Sequence, residues 1–237
     1  MKKFDTMVAH SITGVTLTNA RTSSVNTIQG HYHSLFGIEY FGDTNVLRWS
    51  MTVGTLMDTH SPAARYSEGR ILKRPILGCG MIESEQDEYN IMIIPDMHLP
   101  YVHKDAFNFL WSVYCSYYPE LIICVGDMFD HHSGSYHESE PDAMNPTEEY
   151  KAAKKQAKQL EEMFPEMVVI KGNHDEIPRR KLKSAGLPQE MLRDYNMIYD
   201  LKGGWEWVKR FKFNSGGGNP KLIPMRLKGN GRWNGKL

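Results

Sequence analysis

The chain is poor in cysteine, in long apolar runs and in any surplus of charge, and each shortage narrows its reading. It has three cysteines, Cys79, Cys115 and Cys124, all in apolar segments and none in a CxxC pair. An odd count in buried-looking positions excludes a disulfide framework and fits a reducing compartment. No apolar run approaches the roughly 18 residues that span a bilayer. The opening MKKFDTMVAH carries two lysines but no long apolar core behind them, so it does not read as a signal peptide. A cytoplasmic location is the expectation, with no membrane partner. Lys plus Arg equals Asp plus Glu at 28 each, so no global basicity points to nucleic acid held by charge alone. No internal repeat is visible.

What is present suits one sizeable domain: 237 residues, 41% hydrophobic and 24% charged. FDTMVAH reads as a short strand, and the polar stretch after it has room for one short helix. Residues 34–56 read as a hairpin that turns at Gly42–Asn45, and PILGCGMI as a further strand. From residue 90 the pattern changes. NIMIIPD, LIICVGD and MVVIKGNHDE are buried-strand runs separated by helical patterns at 103–118 and 148–164. Strand, helix, strand, helix, strand predicts a parallel sheet, whose ligands bind at the carboxyl ends of the strands. GWEWVKRFKF returns to strand. Residues 214–237, rich in Gly, Asn and Pro, read as a polar, basic, loosely ordered tail outside a domain spanning 1–213.

Three of the strand ends carry polar clusters: Asp96-Met97-His98, Gly126-Asp127-Met128-Phe129-Asp130 and Gly172-Asn173-His174-Asp175-Glu176. Earlier in the chain, Gly30-His31-Tyr32-His33 places two histidines one residue apart, and His10 ends an apolar strand as Asp96 and Asp127 do. Mixed oxygen and imidazole donors suit divalent Mn, Fe, Zn or Mg more than a soft thiolate metal. A pair of ions about 3.5–4 Å apart needs a bridging carboxylate and several terminal ligands. Taken singly, Asp96 or Asp127 reads as a helix cap or Asx turn, and His31 with His33 as a half-exposed pair on one strand face. The coincidence of all the clusters favours a metal site.

DMH, GDMFD, GNHDE and GHYH together resemble the signature set of the calcineurin-like metallophosphoesterases, over roughly residues 4–213. That family's usual order is DxH, GDxxD, GNH(D/E), a lone His, then GHxH. Here the last two come first, so the chain resembles a circular permutant, and Ser11 follows His10 where the family's lone histidine is usually followed by Gly. The resemblance implies an α/β fold, the four-layer α/β/β/α sandwich of two mixed sheets. It implies two divalent ions, manganese first, with Fe, Zn, Ni or Mg as the others. Asp96, His98, Asp127 and His33 would hold one ion, and Asp127, Asn173, His10 and His31 the other, with Asp127 bridging. His174 would face the scissile phosphate, oriented by Asp130, and a metal-activated hydroxide would attack phosphorus.

The implied activity is a metal-dependent phosphoesterase, with phosphodiesters of nucleotide or nucleic-acid type favoured. The alternatives are a phosphomonoesterase acting on phosphoproteins or nucleotides, and a scaffold that binds without catalysis. Permutation further requires FKF and FDTMVAH to be neighbours, with ESEQDE joining the old ends. His131, His132 and His137 read as solvated loop histidines with substrate contact as the alternative, and His60 similarly. Arg65 has a structural ion pair as its bland reading and a phosphate contact as its functional one. Trp205 and Trp207 read as core-facing, and the helix at 148–164 as a surface helix.

Overall fold

NIMII, LIIC and MVVI are apolar without alternation, as strands buried on both faces should be. All three are strands in a computed structural model, which describes residues 5–10, 16–43, 46–65, 74–83, 89–135, 140–214 and 221–227. In chain order the strands are β1 (Thr6–Ala9), β2 (Asn26–Gln29), β3 (Phe36–Asp43), β4 (Val46–Val53), β5 (Gly78–Glu83), β6 (Asn90–Ile94), β7 (Leu121–Cys124), β8 (Met167–Ile170), β9 (Trp205–Val208), β10 (Phe211–Phe213) and β11 (Lys221–Arg226). The helices are α1 (Thr16–Ser23), α2 (Pro62–Arg65), α3 (Ala106–Tyr117), α4 (Pro146–Met163), α5 (Ile177–Ser184) and α6 (Tyr195–Tyr199).

Two mixed sheets result. One has the order β10-β1-β2-β4-β3 and the other β11-β5-β6-β7-β8-β9. In the larger sheet β6, β7, β8 and β9 are mutually parallel, so the residues that follow them gather at one edge. The pleat explains the unbroken apolar runs. Ile91, Ile93, Ile123, Val125, Val168 and Ile170 face the smaller sheet and pack on Val8, Ile28, Trp49 and Met51. Their neighbours Met92, Ile94, Ile122, Cys124, Met167 and Val169 point the other way, onto Phe109, Leu110, Ala153, Leu160 and Tyr195 of the helices. With α1 against β2 and β4, the layers are helix, sheet, sheet and helix. This is the sandwich that the sequence led us to expect. Among the described residues no helix is long and apolar enough to cross a membrane.

The hairpin at 34–56 forms as β3 and β4, paired antiparallel from Phe36↔Val53 to Asp43↔Val46. Asn145 and Glu148 close a capping box at the start of α4. That helix is less of a surface element than its composition suggests. Glu149 is buried, and its carboxylate accepts the main-chain N–H groups of His132 (2.6 Å) and Ser133 (2.9 Å). The strands on either side of the postulated break do pair, with Thr6 opposite Phe213 and Val8 opposite Phe211. β5 and β6 form an antiparallel pair, and residues 84–88 between them lie outside the described residues, as do Phe4 and His137.

Two expectations need correction. GWEWVKRFKF is not one strand. β9 belongs to the larger sheet and β10 to the smaller, and the chain crosses between them at Lys209 and Arg210. Residues 221–226 are no tail but a strand, antiparallel to β5, with Met225 fully buried and Leu227 4% exposed. Pro224 disguises it in the sequence. Proline removes a ladder donor and is confined to edge strands, and β11 is such an edge. Truncation after Asn214 is therefore expected to lower unfolding free energy by about 3–6 kcal/mol, the loss of two buried side chains. Urea titration of the full and truncated chains measures the difference.

Candidate metal centre

Three main-chain turns leave the carboxyl edge of the larger sheet, after β6, β7 and β8, and two more leave the smaller sheet after β1 and β2. Each delivers one of the polar clusters. Their close approach has a steric requirement. At Gly172 an added Cβ would lie 2.0 Å from Asp127 Oδ1 and 2.3 Å from the Asp127 nitrogen. At Gly126, where φ is +123°, it would lie 2.4 Å from His10 Nδ1. Glycine is thus the residue that lets the carboxylate and the imidazole into the site.

Taken alone, His31 and His33 would share one strand face, whereas the family resemblance sends them to different ions. They sit in a turn beyond β2, with His31 at φ +69°, and they diverge. His31 joins His10 and Asp127, while His33 joins Asp96 and His98. In each trio the ligand atoms lie within 4.8 Å of one another, as they do in the trio His98, Asp127 and His174. Asn173 is brought in beside His10, with Oδ1 3.0 Å from Nε2. Asp96, His98, Asp127, His10, His31, His33, Asn173, His174 and Asp130 are thus all within one cluster.

The protonation pattern favours a cation. His10 Nδ1 is 3.1 Å from the Val125 carbonyl, which can only accept, so Nδ1 carries a hydrogen. The other nitrogen, Nε2, is 3.1 Å from Asp127 Oδ2. In a neutral imidazole that contact would set a lone pair against a carboxylate. Either a second proton or a metal ion must sit there. Burial opposes the charged imidazole, but Asp127 and Asp96 outweigh it and raise the His10 pKa well above its ordinary value. Burial would likewise raise Asp96 and Asp127, yet His10 and its neighbours hold both below the usual carboxylate range. Asp96 Oδ2 accepts from the His31 main-chain N–H (2.8 Å) and faces His33 Nε2 (3.1 Å), while Oδ1 is buried and makes no hydrogen bond. His98 Nδ1 is held at 2.5 Å by Asp130 Oδ1, which turns Nε2 toward His33 Nε2, 3.3 Å away. Buried lone pairs converging in this way, on oxygen and nitrogen alone, fit hard or borderline divalent ions.

Asp130 meets two histidines, His174 mainly through its main chain and His98 through its carboxylate. Its carboxylate binds His98 rather than His174, whose Nδ1 lies 3.5 Å away. His174 Nδ1 instead approaches the Asp130 main-chain carbonyl at 2.7 Å, and the His174 N–H donates to Asp127 Oδ1 at 2.8 Å. Burial lowers the His174 pKa, but Asp127 and Asp130 more than offset it and leave it raised. Arg65 pairs with Asp142 at 3.3 Å on the surface, and His60 is exposed.

Three residues here were not anticipated from sequence. Asp175 is buried and accepts the N–H groups of Gly172 (2.8 Å) and Phe129 (3.0 Å), so it clasps two of the turns together. Burial, then the charge of Asp127, pushes its pKa up to about 7. His131 and His132, read as solvated, are not. His132 is 2% exposed, and His131 is bonded on both ring nitrogens. Burial takes the His131 pKa down to about 4. A cavity of about 320 Å³ lies beside the cluster, lined by Phe129, His131, Tyr195, Ile198 and Tyr199 among others, and none of the candidate ligands lines it. GDMFD followed by two histidines was the signal available in the sequence.

A family model described as calcineurin-like phosphoesterase matches residues 89–231, more than half of the chain. The match contains Asp96, His98, Asp127, Asp130, Asn173 and His174, while His10, His31 and His33 lie outside it. Searches of curated proteins and of solved structures returned no match. Because Asp130 holds a candidate ligand, Asp130→Ala is expected to weaken metal affinity about 10–100-fold, the usual cost of losing such a partner. Titration of the stripped protein with Mn²⁺ measures it. Unchanged affinity with a lowered rate would restore Asp130 to His174.

Proposed function

Since the chain belongs to the calcineurin-like phosphoesterase family, and so is a metal-dependent hydrolase of phosphoric esters, we propose that it cleaves phosphodiesters of nucleotide or nucleic-acid type. The observation that carries the assignment of the site is the pair of ligand trios, His10–His31–Asp127 and His33–Asp96–His98, with His174 beside them. In this reading Asp127 serves both ions. Asn173 completes the first set, and Asp127 is the fourth member of the second. Manganese is the first candidate for both. Two bound divalent ions would supply a water acidified toward neutral pH as nucleophile and would offset charge on the phosphoryl oxygens.

The chain's own residues do the rest. His98 is fixed by Asp130 so that Nε2 faces inward. His174 is held through Nδ1 by a carbonyl, so its other nitrogen is available to the substrate. A proton on that nitrogen would be donated to the leaving oxygen. The diester preference draws on α5, which follows the His174 turn and carries Arg179, Arg180, Lys181 and Lys183. Arg180 reaches the Asn173 carbonyl at 2.7 Å, which anchors this basic helix at the rim of the site. A cationic rim favours substrates with phosphates on either side of the scissile one. The basic C-terminal segment supports that class less, since Lys221 pairs with Glu83 at 2.6 Å.

We also read the motif order as a circular permutation. What supports it is that β1 and β10 are hydrogen-bonded neighbours and that β5 and β6 pair antiparallel. A chain reordered to run from residue 89 to 227, through a flexible linker, then from 5 to 83 should fold and bind the same number of ions. A reordered chain that fails to do so would count against the reading.

The assay is hydrolysis of bis(4-nitrophenyl) phosphate and of 4-nitrophenyl phosphate by chelator-stripped protein, with Mn²⁺ added back stepwise. Diester turnover that returns with metal is the expected result, and a monoester preference would replace the diester reading with the phosphomonoesterase one. His174→Ala should lower kcat by about 10²–10⁴-fold with metal content retained. Asp127→Ala should lose both ions by elemental analysis.

A further inference from the structure

His174 is held in place by a hydrogen-bond chain that begins on α6, outside the metal cluster. His131 Nδ1 lies 3.0 Å from the His174 carbonyl oxygen and Nε2 lies 2.8 Å from Tyr199 Oη. A carbonyl only accepts, so the hydrogen is on Nδ1. In a buried neutral imidazole Nε2 is then a lone pair, and the Tyr199 hydroxyl must donate to it. The direction of the chain is fixed: Tyr199 O–H to His131 Nε2, and His131 Nδ1–H to the His174 carbonyl.

Packing keeps both members in place. Tyr199 is 2% exposed, and its ring stacks on Phe129 of the GDMFD turn, centroids 3.6 Å apart and 8° from parallel. His131 occupies the left-handed region at φ 51°. The main chain of His174 is thereby gripped on both sides, its N–H by Asp127 and its carbonyl by His131 together with the Ile177 N–H at 3.0 Å. A residue held through the peptide on each side of its Cα has a fixed direction in which its imidazole leaves the main chain.

We propose that His131, backed by Tyr199, is a positioning residue that aims the His174 imidazole at the scissile phosphate. The proposal rests on the role given to His174 above. It predicts an effect on kcat with metal content unchanged, because neither residue is among the candidate ligands; a direct substrate contact in the cavity that both line would raise KM instead. Asparagine places an amide N–H near the position of Nδ1 and tolerates the left-handed backbone, whereas glutamine places its amide near Nε2.

The experiment uses the full chain loaded with Mn²⁺ and bis(4-nitrophenyl) phosphate. Tyr199→Phe should lower kcat by about 2–10-fold, the worth of one hydrogen bond, with KM and metal stoichiometry unchanged. His131→Gln should lower kcat by about 10-fold or more, and His131→Asn should recover most of that loss. Tyr199→Phe added to His131→Asn should cost nothing further, since the asparagine amide no longer meets the hydroxyl. Wild-type kcat in both Tyr199→Phe and His131→Gln, alongside a strong loss in His174→Ala, would overturn this proposal alone. Full activity in His174→Ala would overturn the role of His174 and the proposal with it. With diamagnetic Zn²⁺ in place of Mn²⁺, which would broaden them away, the His174 ring resonances give a readout that needs no substrate. They should move in Tyr199→Phe and hold still in Met197→Ala, an exposed position on the same helix; resonances unmoved in both variants would also overturn it.

Discussion

Asp96, Asp127 and Asp130 are each at most 1% exposed, and they share one small volume with His10 and His98. Burying a carboxylate costs several kcal/mol unless positive charge and hydrogen bonds come with it. That constraint orders the whole site. Without ions the compensation falls to protons, which explains why the pKa values of His10 and His174 are driven up and those of the carboxylates down. With divalent ions the same lone pairs would become ligands, and the ligating imidazoles, His10 among them, would give up the extra proton. Asp175 escapes the conflict differently. It spends its two oxygens on the N–H groups of neighbouring turns and adds no group to the cluster.

The sandwich supplies the means. A strand buried on both faces must end abruptly where the core ends, and the first polar residue after it stands at the sheet edge. Ile94, Cys124 and Ile170 are fully buried, and Asp96, Asp127 and Gly172–His174 follow each within a few residues. Parallel pairing makes the ends coincide. The smaller sheet repeats the device with β1 and β2, which are parallel and end before His10 and Gly30. Packing the sheets face to face then closes two half-sites into one.

Much of this was readable because the residues concerned are constrained by chemistry as well as by packing. Apolar strands that run straight into DMH, GDMFD and GNHDE announce both the sheet and its functional edge. What was not readable depended on tertiary context. Pro224 hides an edge strand, because a proline costs little where no neighbour needs its N–H. Lys209 and Arg210 are ordinary residues, and nothing in them signals a change of sheet. The paired histidines after GDMFD look like a solvated loop until Glu149 is seen to take the main chain of that turn and Tyr199 the ring of His131. The second partner of Asp130, His98, was out of reach for a similar reason. Sequence shows which carboxylate stands near two histidines but not which imidazole presents its nitrogen to it.

The distribution of His10, His31 and His33 bears on how such a site tolerates a changed chain order. None of these three contacts the larger sheet through its own strand. Each reaches it through side chains or a turn: His10 to Val125 and Asp127, the His31 N–H to Asp96, His33 to Asp96 and His98. The smaller sheet is therefore joined to the edge that carries the candidate site by contacts that are indifferent to which half of the chain comes first. Chain connectivity matters only where the strands must be laid side by side. In our reading the cut between β10 and β1 removes one loop from a pair of strands that remain bonded, Thr6 to Phe213. The candidate metal site lies at the far end of those parallel and antiparallel ladders, so its residues keep their places. A site assembled from strand ends across two packed sheets is thus more robust to reordering than one built on a single continuous helix or loop.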